Sequence, residues 1–487
     1  MSLRTNLSNL LRTWSKIWQR YPVETGILFL LLLAWWHDYF GMPRPVWVCL
    51  APLAAATALA LNIRTRNGRL RAAYYVSWIP WIAAAVLIPA DSLEAWITTS
   101  QYVISVTILA PLALLLARRS TDNRRFAADC SAYVETAVAL LICNAAINGV
   151  WSAIWCSLGY IFGIMDNCVV QHIYKDGIAV INTLLTGTLL LTLLDMRFSE
   201  RVRRAAATSR LTDGIVNYLL APALFVYTAI LYVYLAKIIV TWSLPKGGVA
   251  YMVFGYTMTA FVVRAMRENT GRRMFDRFFD RLSIIVLPTL VLFWTGVAHR
   301  IIEYGYTDWR VYLIICGAVM SFCTLAFLSR RTGRYHYVAA AAALLFFVTA
   351  YVPRFSAERI GLRSQTERAE RLAARTGLLL DDGRIDLTHR SEIDTMLLDN
   401  YYELGQSLHY LYKENDTLTL RNRFGIANYY NDYYAIFPEK YDARIRWGSD
   451  YDSIEVAEEV VGSSTYLSTP HDMQVDIAGF SKSYSNA

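Results

Sequence analysis

The sequence lacks the common catalytic signatures. It contains no H-E-x-x-H, no G-x-S-x-G, no Walker loop and no C-x-x-C pair, and His299 and His389 stand isolated. No motif therefore indicates a metal site, a catalytic nucleophile or a phosphate-binding loop, and neither a metal nor another cofactor is expected. Whether the chain is an enzyme stays open at this stage.

Cysteine is scarce and unevenly placed. All seven Cys lie at or before residue 323, in or next to apolar stretches, and residues 354–487 contain none. If that part of the chain faces an oxidising compartment, it has no disulfide and depends on a hydrophobic core of its own. No small-residue cleavage site follows the first apolar run, so this run is expected to remain as a helix.

Long apolar stretches are abundant, and hydrophobic residues make up 55% of the chain. A hydrocarbon core of about 30 Å requires about 17–25 apolar residues to cross it as a helix. Eleven stretches meet this requirement and are predicted to be membrane-spanning helices. The predicted spans are residues 23–40, 45–63, 73–90, 96–117, 130–150, 177–195, 215–236, 248–265, 282–299, 311–328 and 337–353.

Lysine and arginine are distributed unevenly between the loops. If the N-terminus lies in the cytoplasm, the segments on that side carry 26 of these residues and the opposite loops carry 6. Because positively charged loops stay in the cytoplasm, this bias predicts a cytoplasmic N-terminus. We call the side with the larger number the basic face. After an odd number of spans, the chain beyond Pro353 is predicted to lie outside.

The net charge of +8 does not point to nucleic acid. Residues 354–487 carry 15 basic and 22 acidic side chains, so the positive excess belongs to the membrane part, where it also attracts anionic lipid. Two domains are predicted: a transmembrane helical domain over 1–353 and an extracytoplasmic soluble domain over 354–487. The abrupt end of the chain leaves open whether the second domain is complete.

The apolar segment after the fifth span is too short to cross the membrane and return. Residues 151–165 are therefore predicted to form an interfacial or re-entrant helix on the outer side, with both alternatives open. Within the fifth span, Glu135, Asn144 and Asn148 are polar groups at membrane depth, where such groups are costly and are candidates for function.

Two outer loops contain most of the polar side chains on that side. In the second loop, Arg300 and Glu303 are three residues apart and can pair on one helix face. Gly305 can adopt a positive φ that ends the helix, and Thr307 can cap the next helix. The candidate site predicted from both loops comprises Trp242, Lys246, Arg300, Glu303, Tyr304, Thr307, Asp308 and Arg310.

Two interpretations of these residues remain open. The first is a tight turn between two helices, with its charges at the membrane interface. The second is an outward-facing cavity where Arg300 and Arg310 converge with Lys246 and hold a phosphate or carboxylate, which the planar guanidinium binds bidentately. An anionic lipid or an envelope glycan is the ligand class that the second interpretation predicts.

The tail shows mixed secondary-structure signals. Residues 354–376 predict an amphipathic helix that leaves the membrane, and Asp382-Gly383 between apolar runs predicts a hairpin turn. Ser391 is predicted to cap a helix whose apolar face has a spacing of three to four residues; this face comprises Ile393, Leu397, Tyr401, Leu404, Leu408 and Leu411. The chain after about residue 415 is rich in tyrosine and later alternates like strands. The expected fold is an all-α bundle of about 11 transmembrane helices with a C-terminal α+β soluble domain.

Several of these motifs resemble one bacterial family, numbered 4153 among the domains of unknown function. The resemblance rests on the pattern Arg300-x-x-x-Tyr304-Gly305-x-Thr307-x-x-Arg310, on the stretch from Trp242 to Gly247, and on Arg363-Ser-Gln with Leu379-Leu-Asp-Asp-Gly-Arg-Ile385. The resemblance implies a multi-pass protein of the bacterial inner membrane, in some members with a periplasmic tail. It implies no activity.

Two functions are compatible with the sequence. The first is a non-enzymatic envelope protein with a transport or scaffolding role; the bundle, the absence of catalytic motifs and a similarity between the spans around Pro222 and Pro288 favour it. The alternative is a membrane-embedded transferase acting on lipid-linked or envelope glycans. Such enzymes usually need an acidic pair on a large first outer loop, which is short here. Membrane lipid is the expected partner, no nucleic acid is expected, and protein partners stay open.

Overall fold

The computed structural model of this chain is built from helices. The residues that it describes are 3–37, 46–65, 71–162, 168–204, 213–241, 249–268, 270–271, 274–329, 331–387, 395–414, 416–429 and 432. The chain divides into two compact units, residues 1–365 and 366–487. The placement of the predicted domains on the two sides of a membrane, with a boundary after residue 353, stays a prediction.

The helices have the following bounds in chain order. The first half contains α1 (Leu3–Arg20), α2 (Pro22–His37), α3 (Ala51–Thr65), α4 (Arg71–Tyr75), α5 (Ile79–Leu87), α6 (Ala90–Ile97), α7 (Ser100–Ile104), α8 (Ala110–Ala117), α9 (Asn123–Phe162), α10 (Cys168–Val180) and α11 (Thr186–Arg204). The second half contains α12 (Ala221–Thr241), α13 (Val249–Arg267), α14 (Asp276–Asp280), α15 (Leu282–Tyr304), α16 (Asp308–Ala326), α17 (Tyr335–Tyr351), α18 (Ala357–Arg375), α19 (Leu398–Lys413) and α20 (Thr417–Phe424). Short π-helical segments join α7 to α8 and α10 to α11 and precede α12.

The membrane-spanning character is confirmed. Among the described residues, 8 helical stretches are long and apolar enough to cross a bilayer. The third predicted span corresponds instead to a broken segment, Arg71–Leu87 followed by Ala90–Ile97 at a bend of 112°. The first and last predicted spans correspond to shorter apolar helices, Pro22–Trp35 and Tyr335–Tyr351. Each predicted span therefore overlaps an apolar helical segment.

The largest buried cluster of the first unit lies among α12, α13, α15 and α16. Val253, Val286 and Phe293 are fully buried in it. Gly317 of α16 lies against the Phe293 ring, and a Cβ at this position would overlap the ring. Lipid is as apolar as these side chains, so close packing holds the helices together and favours small residues at their contacts.

The predicted break after the fifth span is wrong. Helix α9 runs without interruption over 40 residues, from Asn123 to Phe162. At a rise of about 1.5 Å per residue it is about 60 Å long, twice the thickness of the hydrocarbon core. Its second half packs on α10, where the Trp151 indole donates a hydrogen bond to the Tyr174 carbonyl at 3.1 Å. Residues 151–162 thus continue the same helix instead of forming a re-entrant segment.

The second unit is helical in its described part. The predicted apolar face of α19 is confirmed at Tyr401, Leu404, Leu408 and Leu411, which are all buried. Leu397 precedes α19 in a short 3₁₀ turn, and the predicted cap Ser391 and Ile393 lie outside the described residues. Helix α18 confirms the amphipathic helix predicted over residues 354–376.

The predicted α+β character of this unit is not found in its described part. The Asp-Gly signal does form a turn, in which Gly383 has a φ of +82° and the Leu380 amide donates to the Arg384 carbonyl at 2.8 Å. The pairing ends there as an isolated antiparallel bridge between Leu379 and Ile385. The later residues predicted to form strands lie outside the described part of the chain.

Candidate functional site

The second of the two predicted outer loops connects α15 to α16 through a tight turn. As predicted, α15 ends at Tyr304, and Gly305 follows with φ 71° and ψ −176°. This conformation is essentially restricted to glycine. Thr307 occupies the position before α16, but its side chain makes no capping hydrogen bond, so the predicted capping role is wrong for its hydroxyl.

Arg310 binds the backbone of this turn. Its Nη1 donates to the Tyr304 carbonyl at 3.0 Å and to the Gly305 carbonyl at 2.8 Å. Its guanidinium also lies over the Tyr304 ring, 5.5 Å from the centroid. The last carbonyls of a helix have no partner within the helix, so Arg310 satisfies groups that α15 leaves open.

The start of α18 contacts the same turn from the other side. The Gln365 side-chain amide is buried and donates to the Tyr304 carbonyl at 3.0 Å and the Tyr306 carbonyl at 2.8 Å. The Ser364 hydroxyl accepts a hydrogen bond of 2.9 Å from the Tyr306 amide. We call the set of Tyr304, Gly305, Tyr306, Arg310, Ser364 and Gln365 the turn joint.

Three further predicted site residues, Arg300, Glu303 and Asp308, are close in sequence to the turn joint. Glu303 pairs with His299 at 3.4 Å, and the expected Arg300–Glu303 pair is not among the ion pairs of the described residues. Asp308 is buried at the first position of α16. Trp242 and Lys246 lie outside the described residues, so their convergence with the arginines stays a prediction.

The geometry favours the interpretation of this loop as a turn. Arg310 directs its guanidinium at two backbone carbonyls, and an anion site at Arg300 and Arg310 stays a prediction. The sequence interpretation missed Ser364 and Gln365 as members of this cluster. Both belong to the Arg363-Ser-Gln stretch that carries part of the family resemblance. That motif could have indicated their role.

A second polar cluster lies within the membrane helices α9 to α11. The Asn144 amide donates to the side chains of Asn182 and Thr186, both at 2.8 Å, and Asn148 donates to Asn182 at 3.0 Å. Asn182 belongs to the π-helical segment between α10 and α11. These bonds satisfy the amides that are costly at membrane depth. Nearer the basic face, Glu135 pairs with Arg197.

A third cluster joins α2, α3 and α4. The buried Glu24 carboxylate accepts hydrogen bonds from the Tyr74 hydroxyl at 2.6 Å and from the Asn62 amide at 3.2 Å. Arg71 donates to the Asn62 side-chain oxygen at 2.9 Å. No local sequence pattern indicates this network, because its members are separated by up to 50 residues. Among the described residues, no group of three or more His, Cys, Asp or Glu side chains could hold a metal ion.

These features define a multi-pass α-helical membrane protein. The family described as a domain of unknown function, DUF4153, matches residues 25–376, and the chain belongs to this family. An uncharacterized protein of Pasteurella multocida (strain Pm70), PM1469, is 25% identical over 432 residues, which make up 86% of this chain and 71% of that protein. No solved structure matches the chain. The turn joint lies entirely within the matched residues.

Proposed function

We propose that this chain is an integral protein of the bacterial inner membrane, with eleven helical segments that cross the bilayer. The two shorter apolar helices and the broken segment Arg71–Ile97 supply the spans beyond the 8 long ones. The bias of 26 against 6 basic residues supports a cytoplasmic N-terminus. With an odd number of spans, the chain after Pro353 then lies in the periplasm.

The proposed role is scaffolding without catalysis: the bundle anchors the segment that leaves the membrane and presents the C-terminal region to the envelope. The observation that carries this proposal is the turn joint. Arg310 and Gln365 donate hydrogen bonds to the backbone of one short turn, and Ser364 accepts one from it. The start of α18 is thereby tied to the end of α15 by groups that a ligand site would otherwise use.

A labelling experiment tests the orientation. A single cysteine is introduced at Ser453, in a variant whose native cysteines are replaced, and intact cells are treated with a membrane-impermeant maleimide. We expect labelling of intact cells, whereas a cysteine at Ala207 should react only after the membrane is permeabilised. Protection at 453 together with labelling at 207 would invert the proposed topology.

A second experiment separates scaffolding from the alternative, a transferase that acts on lipid-linked or envelope glycans. Membranes containing the wild type or Arg310→Ala are supplied with lipid-linked sugar donors, and the donors are analysed by mass spectrometry. A scaffold leaves the donors unchanged in both samples. Turnover by the wild type that is lost in Arg310→Ala, at an equal amount of folded protein, would establish the transferase instead.

The scaffolding role itself is tested at the tail. A photo-crosslinking residue in place of Tyr434 should capture an envelope component in cells. Gln365→Leu should reduce this adduct while labelling at position 453 is unchanged, because the variant loosens the turn joint without altering topology. An adduct of undiminished yield would show that the turn joint has no part in presentation.

A further inference from the structure

An apolar cleft opens between α2, α3 and the segment formed by α4 and α5. Its volume is about 600 Å³, and its lining includes Pro22, Gly26, Leu30, Tyr75, Trp78 and Val86. This volume lies within the range of about 300–1,000 Å³ that is usual for small-molecule sites. Several lining side chains are also substantially exposed, Val86 at 76% and Tyr75 at 50%, so the cleft is open on its side.

The cleft follows α2 from Pro22 to Leu31. Nine residues at a rise of about 1.5 Å extend over about 14 Å, roughly half of a 30 Å hydrocarbon core. Because Pro22 lies next to the basic face, the cleft runs from that face toward the middle of the bilayer. This is the depth that one leaflet's acyl chains occupy.

The helical wall of the cleft contains one short turn. Helix α4 ends at Tyr75, and residues 76–78 form a turn before α5 begins at Ile79. The backbone amides of Val76 and Ser77 still donate to the Ala72 and Tyr74 carbonyls, at 3.1 and 3.2 Å, so the turn leaves this wall of the cleft intact.

A positive charge lies at the end of the cleft nearest the basic face. The Arg71 guanidinium lies 5.4 Å from the ring centroid of Tyr75, which lines the cleft, and 4.6 Å from that of Tyr74. One of its N–H groups donates to Asn62. The nearby Glu24 carboxylate is only 4% exposed, and its two oxygens accept hydrogen bonds from the Asn62 amide and the Tyr74 hydroxyl. A headgroup at this end of the cleft would therefore contact the Arg71 cation and not the buried Glu24 carboxylate.

We propose that the cleft binds an anionic membrane phospholipid from the leaflet at the basic face, with one acyl chain along α2 and the phosphate at Arg71. The acyl chain would fill the cleft along its apolar wall. The Arg71 guanidinium would bind phosphate oxygens through its fork of N–H donors. This site is separate from the turn joint, and the proposal does not depend on the scaffolding role.

Gly26 allows a direct test. A Cβ built on Gly26 meets no atom within 4 Å, so Gly26→Leu should fill the cleft without disturbing the helices. Gly255 in α13 is an equally open helical glycine outside the cleft, and Gly255→Leu is the matched control. Arg71→Gln removes the charge, and the exposed Arg277 of α14 supplies its control, Arg277→Gln.

The full-length protein is purified in mild detergent and mixed with phosphatidylglycerol or phosphatidylethanolamine of identical chains, and bound lipid is counted by native mass spectrometry. The wild type should retain phosphatidylglycerol preferentially. Gly26→Leu should weaken retention on the order of tenfold, since excluding two methylene groups has about that effect. Arg71→Gln should lower phosphatidylglycerol affinity about fivefold, as loss of one basic group at an anionic surface predicts, and should abolish the preference.

Three results would overturn the proposal. Equal retention of both lipids by the wild type would remove the role of Arg71. Unchanged retention by Gly26→Leu, measured beside Gly255→Leu, would place the lipid elsewhere. A protein dimer without bound lipid, dissociated by Gly26→Leu, would identify the occupant as a second copy of this chain.

Discussion

Arg310 and Gln365 are predicted to stabilise the same turn through a shared acceptor. Arg310→Ala removes two hydrogen bonds, of 3.0 and 2.8 Å, from a charged donor to backbone carbonyls. Each such bond contributes about 1.5–3 kcal/mol, and the contact with the Tyr304 ring adds about 0.5–1 kcal/mol. Because Arg310 is only half-buried, the lower ends apply, and we expect the free energy of unfolding to fall by about 2–4 kcal/mol.

The coupling between the two residues has a predicted sign. Gln365→Leu alone should lower the free energy of unfolding by about 1–3 kcal/mol, because it removes the donor to the Tyr304 and Tyr306 carbonyls. In either single variant, the remaining residue still donates to the Tyr304 carbonyl. In the double variant neither does, so the loss should exceed the sum of the single losses by about 0.5–3 kcal/mol.

The measurement is reversible unfolding of the purified full-length protein in mixed micelles, followed by circular dichroism as the denaturing detergent is increased. Arg300→Ala is the matched control on the same hairpin and should change the free energy of unfolding by less than about 0.5 kcal/mol. Arg310→Lys should fall between the wild type and Arg310→Ala, because lysine keeps the charge but not the planar fork. Strictly additive losses, or an Arg310→Ala variant as stable as Arg300→Ala, would refute the turn joint.

Gly305→Ala should lower the free energy of unfolding by about 1–3 kcal/mol, because φ 71° with ψ −176° is strained for any side chain. Gly177→Val should destabilise the α9–α10 pair by about 1–3 kcal/mol, because a Cβ there overlaps a tryptophan ring of α9. In the second unit, Arg368→Ala should cost about 1.5–3 kcal/mol, because the buried guanidinium contacts Glu403 at 2.9 Å. Arg384→Ala, which removes an exposed ion pair, should cost less than about 1 kcal/mol. The same unfolding assay measures each change.

Open helical glycines serve as controls for the glycine variants. Neither Gly149 nor Gly255 has an atom within 4 Å of a built Cβ. Gly255→Ala should therefore not destabilise the protein, and Gly149→Val should cost less than Gly177→Val. If Gly149→Val and Gly177→Val were equally destabilised, the close contact at Gly177 would not be the cause.

The positions of the spans were predictable because they depend on local composition. A helix that crosses lipid must satisfy its own backbone and be apolar along its length, so each predicted span overlaps an apolar helical segment. The end of α15 was predictable for a similar reason, since Gly305 is the residue that its backbone conformation requires. The helix over residues 354–376 and the apolar face of α19 likewise follow from side-chain periodicity along one element.

Predictions were wrong or stayed open where the outcome depends on distant residues. The fifth helix was predicted to end near residue 150, where a single span has crossed the bilayer, whereas α9 continues and α10 packs along it. The sequence left both the turn and the anion site open for Arg310, because an arginine on a loop carries no local sign of its acceptor. Its acceptors are carbonyls five and six residues earlier, and the partner of the same turn, Gln365, is 61 residues away from Tyr304.

The sequence alone therefore determined a membrane protein with apolar helices at stated positions, since transfer into lipid depends on the summed hydrophobicity of each segment. Only the tertiary structure decided which polar groups meet. Hydrogen bonds act over about 3 Å, and their partners at Glu24, Asn182 and Gln365 lie on other helices. Which helices lie side by side is determined by packing of the whole bundle, which no single segment specifies.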